Sequence, residues 1–235
     1  TVKKRIGYLP ENHKYPSYLK GRDVLRFFGR LSGMSGKNLE IKIDELLETV
    51  KLSDWGKSKV KTYSKGMMQR LGLAQSLIND PDLVFLDEPT DGVDPIGRKE
   101  IRDILIELKS KSKTILLNSH LLSEVEMITD RVGILNKGKL LREGSVKELT
   151  EKKEEYKIRL SETELDMNKY IQKNILITRS SDGSIIVKVD NVRSLNLLID
   201  SMRKDGILIL EIELQKSTLE EMFISLINES DKETF

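Results

Sequence analysis

The chain has 235 residues, of which 40 are basic and 38 acidic, so its formal net charge is +2. This near balance argues against a nucleic-acid-binding protein, because such proteins concentrate a basic excess. The absence of cysteine excludes disulfides and cysteine-based metal sites or nucleophiles. No apolar run approaches the roughly 20 residues that span a bilayer, and no signal peptide is recognisable. The composition predicts a globular protein that would serve a membrane only through a partner.

The first 150 residues alternate between strand and helix patterns, which predicts an α/β domain with a parallel sheet. The apolar run at 83–86 is continuous, as in a strand that is buried on both faces, and 114–117 is predicted to be another such buried strand. The predicted strands are 5–9, 83–86 and 114–117, the helices are 21–31, 38–50, 64–78, 95–108 and 121–127, and a hairpin joins 131–135 to 139–142.

A charge-rich stretch at 151–155 marks the predicted boundary between a domain of residues 1–150 and a second of residues 151–235. Beyond it the pattern reads β-α-β-β-α-β, which is typical of a small α+β ferredoxin-like unit. Its predicted strands are 156–160, 175–179, 185–189 and 207–214, with helices at 164–172, 195–203 and 218–227.

Two adjacent carboxylates, Asp87 and Glu88, follow the apolar run 83–86. Ligand sites in open α/β sheets lie at the carboxyl ends of strands. One carboxylate there can hold Mg²⁺, and a second can orient or deprotonate a water that attacks a phosphoryl group. Taken alone, this pair is equally compatible with a surface Asp-Glu at a strand end.

Three further segments favour the interpretation of this pair as part of a phosphate site. Residues 63–69 open a helix at Ser64, whose hydroxyl and following backbone N–H groups could receive phosphate oxygens. Residues 91–95 form a turn and helix start, and His120 follows the next strand, where it could donate to a phosphate oxygen. Alone, these segments would be interpreted as a capped helix, a turn and a structural histidine.

In this order the segments resemble the motifs of the ABC ATPase family, over residues 1–150. The signature-like stretch is 63–69, the Walker B-like stretch 83–88 and the D-loop-like stretch 91–95, followed by the switch His120. Residues 7–11 are similar to the Q-loop region, although Glu11 replaces the usual glutamine.

The resemblance implies roles for individual residues and implies ATP and Mg²⁺ as cofactors. Asp87 would help to hold Mg²⁺, and Glu11 could bind the ion or its water. Glu88 would be the general base or water-positioning residue, and His120 would contact the terminal phosphate.

The same resemblance implies a head-to-tail pair of ATPase subunits, as a homodimer or heterodimer. Ser64 and Gly66 would complete the site of the second subunit, and Asp94 would lie at the interface between subunits. The signature reads Tyr-Ser-Lys-Gly-Met where the broad family favours Leu-Ser-Gly-Gly-Gln. This variant resembles the exporter branch whose membrane subunit is a separate chain. Residues 156–235 resemble that branch's C-terminal extension, for which we expect a dimer contact or regulation.

The phosphate-binding loop G-x-x-x-x-G-K-[ST] is absent from the sequence. Gly56-Lys57-Ser58 has the right ending, but Lys51 stands where a glycine is needed. The resemblance places this loop upstream of Thr1, so we expect an N-terminally truncated chain. Residues 1–235 alone are expected to bind ATP very weakly and to be inactive, whereas the full-length protein would be a Mg²⁺-dependent ATPase.

The leading functional hypothesis is the ATP-hydrolysing subunit of an ABC exporter. It would act through a membrane-spanning permease subunit, peripherally at the cytoplasmic face of the cell membrane, and would not bind nucleic acid. One alternative is a soluble ABC ATPase that acts on ribosomes or DNA, although no second cassette or long coiled-coil insertion is visible. Another is a non-catalytic regulatory partner, against which the retention of Asp87, Glu88 and His120 argues.

Overall fold

The computed structural model describes residues 5–161, 167–170 and 175–232. The chain divides into two compact units, Thr1–Thr129 and Asp130–Phe235. The hairpin predicted at 131–142 therefore groups with the second unit, and the sequence-based domain boundary after residue 150 stays a prediction.

The first unit contains a three-stranded parallel sheet in the order β1-β2-β3. Its strands are β1 (Ile6–Leu9), β2 (Leu83–Asp87) and β3 (Thr114–Asn118). The predicted parallel α/β arrangement is confirmed. Strands β2 and β3 pair in register, so Asp87 lies opposite Asn118, and both strands end at the same edge of the sheet.

Five α-helices accompany this sheet within the described residues: α1 (Gly21–Leu31), α2 (Gly36–Thr49), α3 (Lys65–Ser76), α4 (Pro95–Ser110) and α5 (Leu122–Ile128). The starts of α3 and α4 follow from their capping residues. Ser64 Oγ accepts a hydrogen bond from Met67 N at 3.2 Å, and an Asp94 oxygen accepts one from Gly97 N at 2.8 Å. Such caps satisfy backbone donors that a helix start leaves unpaired.

The prediction that both later strands are buried on both faces is wrong for β3. Its residues alternate between exposed and half-buried, and Leu116 is 53% exposed. Strand β2 alternates between buried and half-buried residues. The physical reason is that no described element of this unit covers one face of the sheet, since Tyr8 of β1, in the same row as Leu116, is also 54% exposed. The core of this unit includes Leu9, Val84 and Leu86 of the sheet, together with apolar residues of helices α1 to α4.

The second unit begins with the hairpin of β4 (Arg131–Asn136) and β5 (Lys139–Ser145), followed by the short α6 (Val146–Thr150). An antiparallel sheet follows in the order β7-β8-β6-β9. Its strands are β6 (Glu151–Leu160), β7 (Ile175–Arg179), β8 (Ile185–Val189) and β9 (Ile209–Lys216), and its helices are α7 (Val192–Lys204) and α8 (Leu219–Lys232).

Strand β8 lies between β6 and β7, as a split βαβ unit requires. The charge-rich residues 151–155 form the start of β6. The predicted helix 164–172 lies mostly outside the described residues, which include a 3-10 turn at Met167–Tyr170. In the described ranges, no helix is long and apolar enough to cross a bilayer.

Candidate active site

The ends of β2 and β3 bring the two predicted carboxylates to one edge of the sheet. Asn118 Nδ2 donates a hydrogen bond to Asp87 Oδ1 at 2.7 Å. Glu88 N donates to Asn118 O at 2.9 Å. Asn118 therefore orients the Asp87 side chain and also holds the backbone of Glu88, which fixes the two acids relative to each other.

The backbone of Glu88 is left-handed, with φ of 49°. This region is unfavourable for residues other than glycine, and it persists only where neighbouring contacts impose it. Here the Glu88 carbonyl accepts from Asp91 N at 3.2 Å and from Gln69 Nε2 at 3.4 Å. The chain thus turns sharply as it leaves β2, immediately after the candidate magnesium ligand.

The carboxylate of Glu88 is held at both oxygens by the segment that follows β3. Its Oε1 accepts from His120 N at 3.0 Å and lies 2.9 Å from His120 Nδ1. Its Oε2 accepts from the Ser119 hydroxyl at 3.3 Å. The Glu88 side chain is 14% exposed, whereas that of His120 is 62% exposed. Glu88, which is largely shielded from solvent, is therefore hydrogen-bonded to His120, which solvent and ligands can reach.

The Glu88 carboxylate raises the pKa of His120, first by the hydrogen bond and then by its charge. Asp91 and Glu11 raise this pKa further through their charges, while desolvation opposes the shift. These contributions favour the imidazolium form, which can donate to a phosphate oxygen. Glu11 is thereby linked electrostatically to His120.

The signature-like and D-loop-like segments contact each other in this unit. Lys65 Nζ lies 3.1 Å from Asp91 Oδ2, and this pair lowers the pKa of Asp91. Gly92 has φ of +60°, and a Cβ there would meet Lys65 Nζ at 1.8 Å. A side chain at position 92 would therefore displace the lysine that joins the two segments.

Three other predicted residues, Ser64, Gly66 and Asp94, lie at the N-terminal ends of α3 and α4. Gly66 lies close to Val93, because a Cβ atom at position 66 would be 3.2 Å from Val93 Cγ1. The Ser64 hydroxyl accepts from Met67 N, which leaves its proton available to a ligand. A helix N-terminus favours an anion because of its free N–H groups and dipole. The roles that the resemblance implies for Ser64, Gly66 and Asp94 remain predictions.

Sequence reasoning gave no role to Asn118, Ser119 or Gln69. For Asn118 and Ser119 a signal existed, because they follow β3 as Asp87 and Glu88 follow β2. Gln69 lies within the signature-like stretch 63–69, but its contact with Glu88 could not be predicted, since that contact depends on how α3 packs.

Comparisons with known proteins identify the family. A family model described as ABC transporter matches residues 1–91. An uncharacterized ABC transporter ATP-binding protein of Nostoc is 39% identical over 232 residues, covering 98% of this chain and 68% of the relative. The chain belongs to the family of ABC transporter ATP-binding proteins. The resemblance carried by the ordered motifs is thereby confirmed.

Further relatives of this ABC transporter ATP-binding protein carry functional names. The daunorubicin resistance ATP-binding protein of Streptomyces coeruleorubidus is 32% identical, covering 96% of this chain and 73% of the relative. The bacitracin transport ATP-binding protein of Bacillus licheniformis is 35% identical, covering 96% of this chain and 74% of the relative.

A solved structure of the ATP-binding subunit of an ABC transporter is 27% identical, with a TM-score of 0.54 over 63% of this chain and 61% of that one. Together with the family match, this likeness confirms the predicted ABC ATPase fold class. The chain spans 64% of a similar ABC transporter ATP-binding protein of Synechocystis. The activity and partners of the whole protein are therefore treated below as proposals.

Proposed function

We propose that this ABC transporter ATP-binding protein is the ATP-hydrolysing subunit of an exporter. The observation that carries the proposal is the clamped Glu88 carboxylate, held by Ser119 and His120 at the sheet edge that also carries Asp87. A fixed acid beside a fixed histidine suits phosphoryl transfer, in which catalysis consists mainly of positioning and charge stabilisation.

The donor set at this edge fits Mg²⁺ with ATP. Asp87 Oδ1 is engaged by Asn118, which leaves Oδ2 for the ion or its water, and Mg²⁺ prefers such oxygen ligands. Glu11 supplies a second carboxylate near His120. When bound, Mg²⁺ neutralises charge that develops on the phosphates.

Side chains of this protein would carry out the water activation and the phosphate contact. Glu88 would orient the attacking water and accept its proton, while the bond from the terminal phosphorus to the ADP oxygen breaks. Because His120 Nδ1 faces Glu88, its Nε2 is the ring nitrogen that would donate to the terminal phosphate. The Glu88 contact favours the charged ring that this donation needs.

The proposed assembly contains two ATPase subunits and a separate membrane-spanning permease at the cytoplasmic face of the membrane. Ser64 and Gly66 would contact the ATP of the second subunit through the start of α3, and Asp94 would lie at the subunit interface. The names of the daunorubicin resistance and bacitracin transport relatives support an exporter. The transported substrate would contact the permease, so we assign none.

The test is ATP hydrolysis by the complete protein with and without Mg²⁺. We expect Glu88→Gln to reduce turnover by at least about 100-fold while ATP binding is retained, because the variant keeps the shape and loses the base. Glu48→Gln makes the same change at an exposed site on α2 and should leave turnover unchanged. Wild-type turnover in Glu88→Gln would remove Glu88 from its proposed role.

A further inference from the structure

Gln69 is a buried amide on α3 whose hydrogen bonding is only half complete. The residue is 5% exposed, and its Nε2 donates to the Glu88 carbonyl at 3.4 Å. Within the described residues, its Oε1 has no hydrogen-bond partner. An apolar side chain of similar shape would avoid the cost of this unpaired acceptor. Such exceptions to packing rules are expected at functional sites.

The carbonyl that Gln69 contacts belongs to the strained residue of the candidate active site. Glu88 has its left-handed φ at this point, and the same carbonyl accepts from Asp91 N. On the other side, Glu88 N donates to Asn118 O. Three separate segments, namely the end of β3, the turn after β2 and helix α3, therefore hold the backbone of one residue.

Helix α3 is firmly attached to its neighbours next to Gln69. Arg70 Nη1 donates to Val50 O at 3.2 Å and to Lys51 O at 3.1 Å. Its Nη2 lies 3.3 Å from a carboxylate oxygen of Glu100. These contacts join α3 to the C-terminal end of α2 and to α4, so the Gln69 amide projects from a fixed backbone.

We propose that Gln69 is a positioning residue for Glu88. Its amide holds the carbonyl of the left-handed turn and thereby sets the direction of the Glu88 carboxylate towards the attacking water. This inference rests on the proposed ATPase function. Because Ser64 caps the start of α3, this one helix connects the proposed contact with the second subunit's ATP to the backbone of Glu88.

The test compares Gln69→Leu with wild type in the complete protein. We expect kcat to fall by about 10- to 100-fold, because small displacements of a catalytic group cost rate on this scale. The KM for ATP should stay within about twofold, and the Tm should not fall, because leucine removes the unpaired acceptor. A purely structural residue would instead lower the Tm. Ser76→Ala is the control, since Ser76 is buried on α3 and donates to Leu73 O, and its kcat should match wild type.

A double variant tests whether Gln69 acts through Glu88. In single-turnover assays, adding Gln69→Leu to Glu88→Gln should cause no further loss, whereas independent effects would multiply. An unchanged kcat in Gln69→Leu, a loss explained by a lower Tm, or a multiplied loss in the double variant would overturn the inference. If wild type were active in each of these cases, the proposed function would stand. A wild type without ATPase activity would overturn the proposed function, and the inference with it.

Discussion

The carboxylate of Glu88 forms hydrogen bonds with His120 and Ser119, and its backbone forms hydrogen bonds with Gln69 and Asn118. The two kinds of contact have different effects. The backbone contacts maintain a conformation that a glutamate would otherwise avoid. The carboxylate contacts place hydrogen-bond donors on both of its oxygens and raise the pKa of His120.

The charge of Glu88 should be measurable at His120. The pKa of His120 is raised in the folded protein, so the Glu88 contact contributes stability below the ordinary histidine pKa of about 6.5. That contribution is lost as the pH rises through the higher folded pKa. In Glu88→Gln the charge is removed, and we expect the pKa of His120 to fall. Histidine ring shifts followed by NMR across pH 5 to 9 measure this change, and His120→Gln assigns the signal.

The same titration in Asp91→Asn provides a graded comparison. Asp91 also raises the pKa of His120, but only through its charge and less than Glu88 does. Its removal should lower this pKa by a smaller amount. A His120 titration curve that is identical in wild type and Glu88→Gln would mean that the ring does not contact Glu88 in solution.

The starts of α3 and α4 combine local capping with the proposed subunit interface. Ser64 and Asp94 both accept hydrogen bonds from the first turn of their helices. Lys65, the first residue of α3, forms an ion pair with Asp91 in the segment that precedes α4. A change at either cap can therefore act through helix stability or through the interface, and the two effects need separate variants.

Two variants of Asp94 separate the effect on helix stability from the effect on the interface. Asp94→Ala removes the cap of α4 and should lower the free energy of unfolding by about 0.5–2 kcal/mol. Asp94→Ser retains a capping oxygen and should stay close to wild type in urea unfolding. If Asp94 also acts at the subunit interface, Asp94→Ser should still reduce ATPase turnover of the complete protein. Wild-type turnover together with wild-type stability in Asp94→Ser would limit Asp94 to capping.

The sequence predicted most of the elements because apolar spacing and capping residues are local signals. Helix α1 was placed at its observed bounds, and α4 began at the predicted Pro95. The burial of β3 was wrong, because a run such as 114–117 records composition and not which elements cover it. The left-handed Glu88 and the Gln69 contact could not be predicted, since both depend on packing between segments far apart in the sequence.

The described residues contain two hydrophobic cores that share no residue. One core includes Leu71 of α3 in the first unit. The other includes Leu198 of α7, packed with residues of the ferredoxin-like sheet in the second unit. A unit that has its own core can in principle fold by itself. We therefore expect the units to unfold in separable transitions.

The single tryptophan makes this expectation measurable. Trp55 lies in the first unit and is 44% exposed, so its fluorescence reports that unit, whereas circular dichroism follows both. Leu198→Ala in the 235-residue chain should destabilise the second unit by about 2–5 kcal/mol, the usual cost of a buried leucine. Its dichroism should then show an earlier transition in urea, with the fluorescence midpoint unchanged. Leu71→Ala, the matched control, should move the fluorescence midpoint, and a joint shift of both signals in Leu198→Ala would show that the two units unfold together.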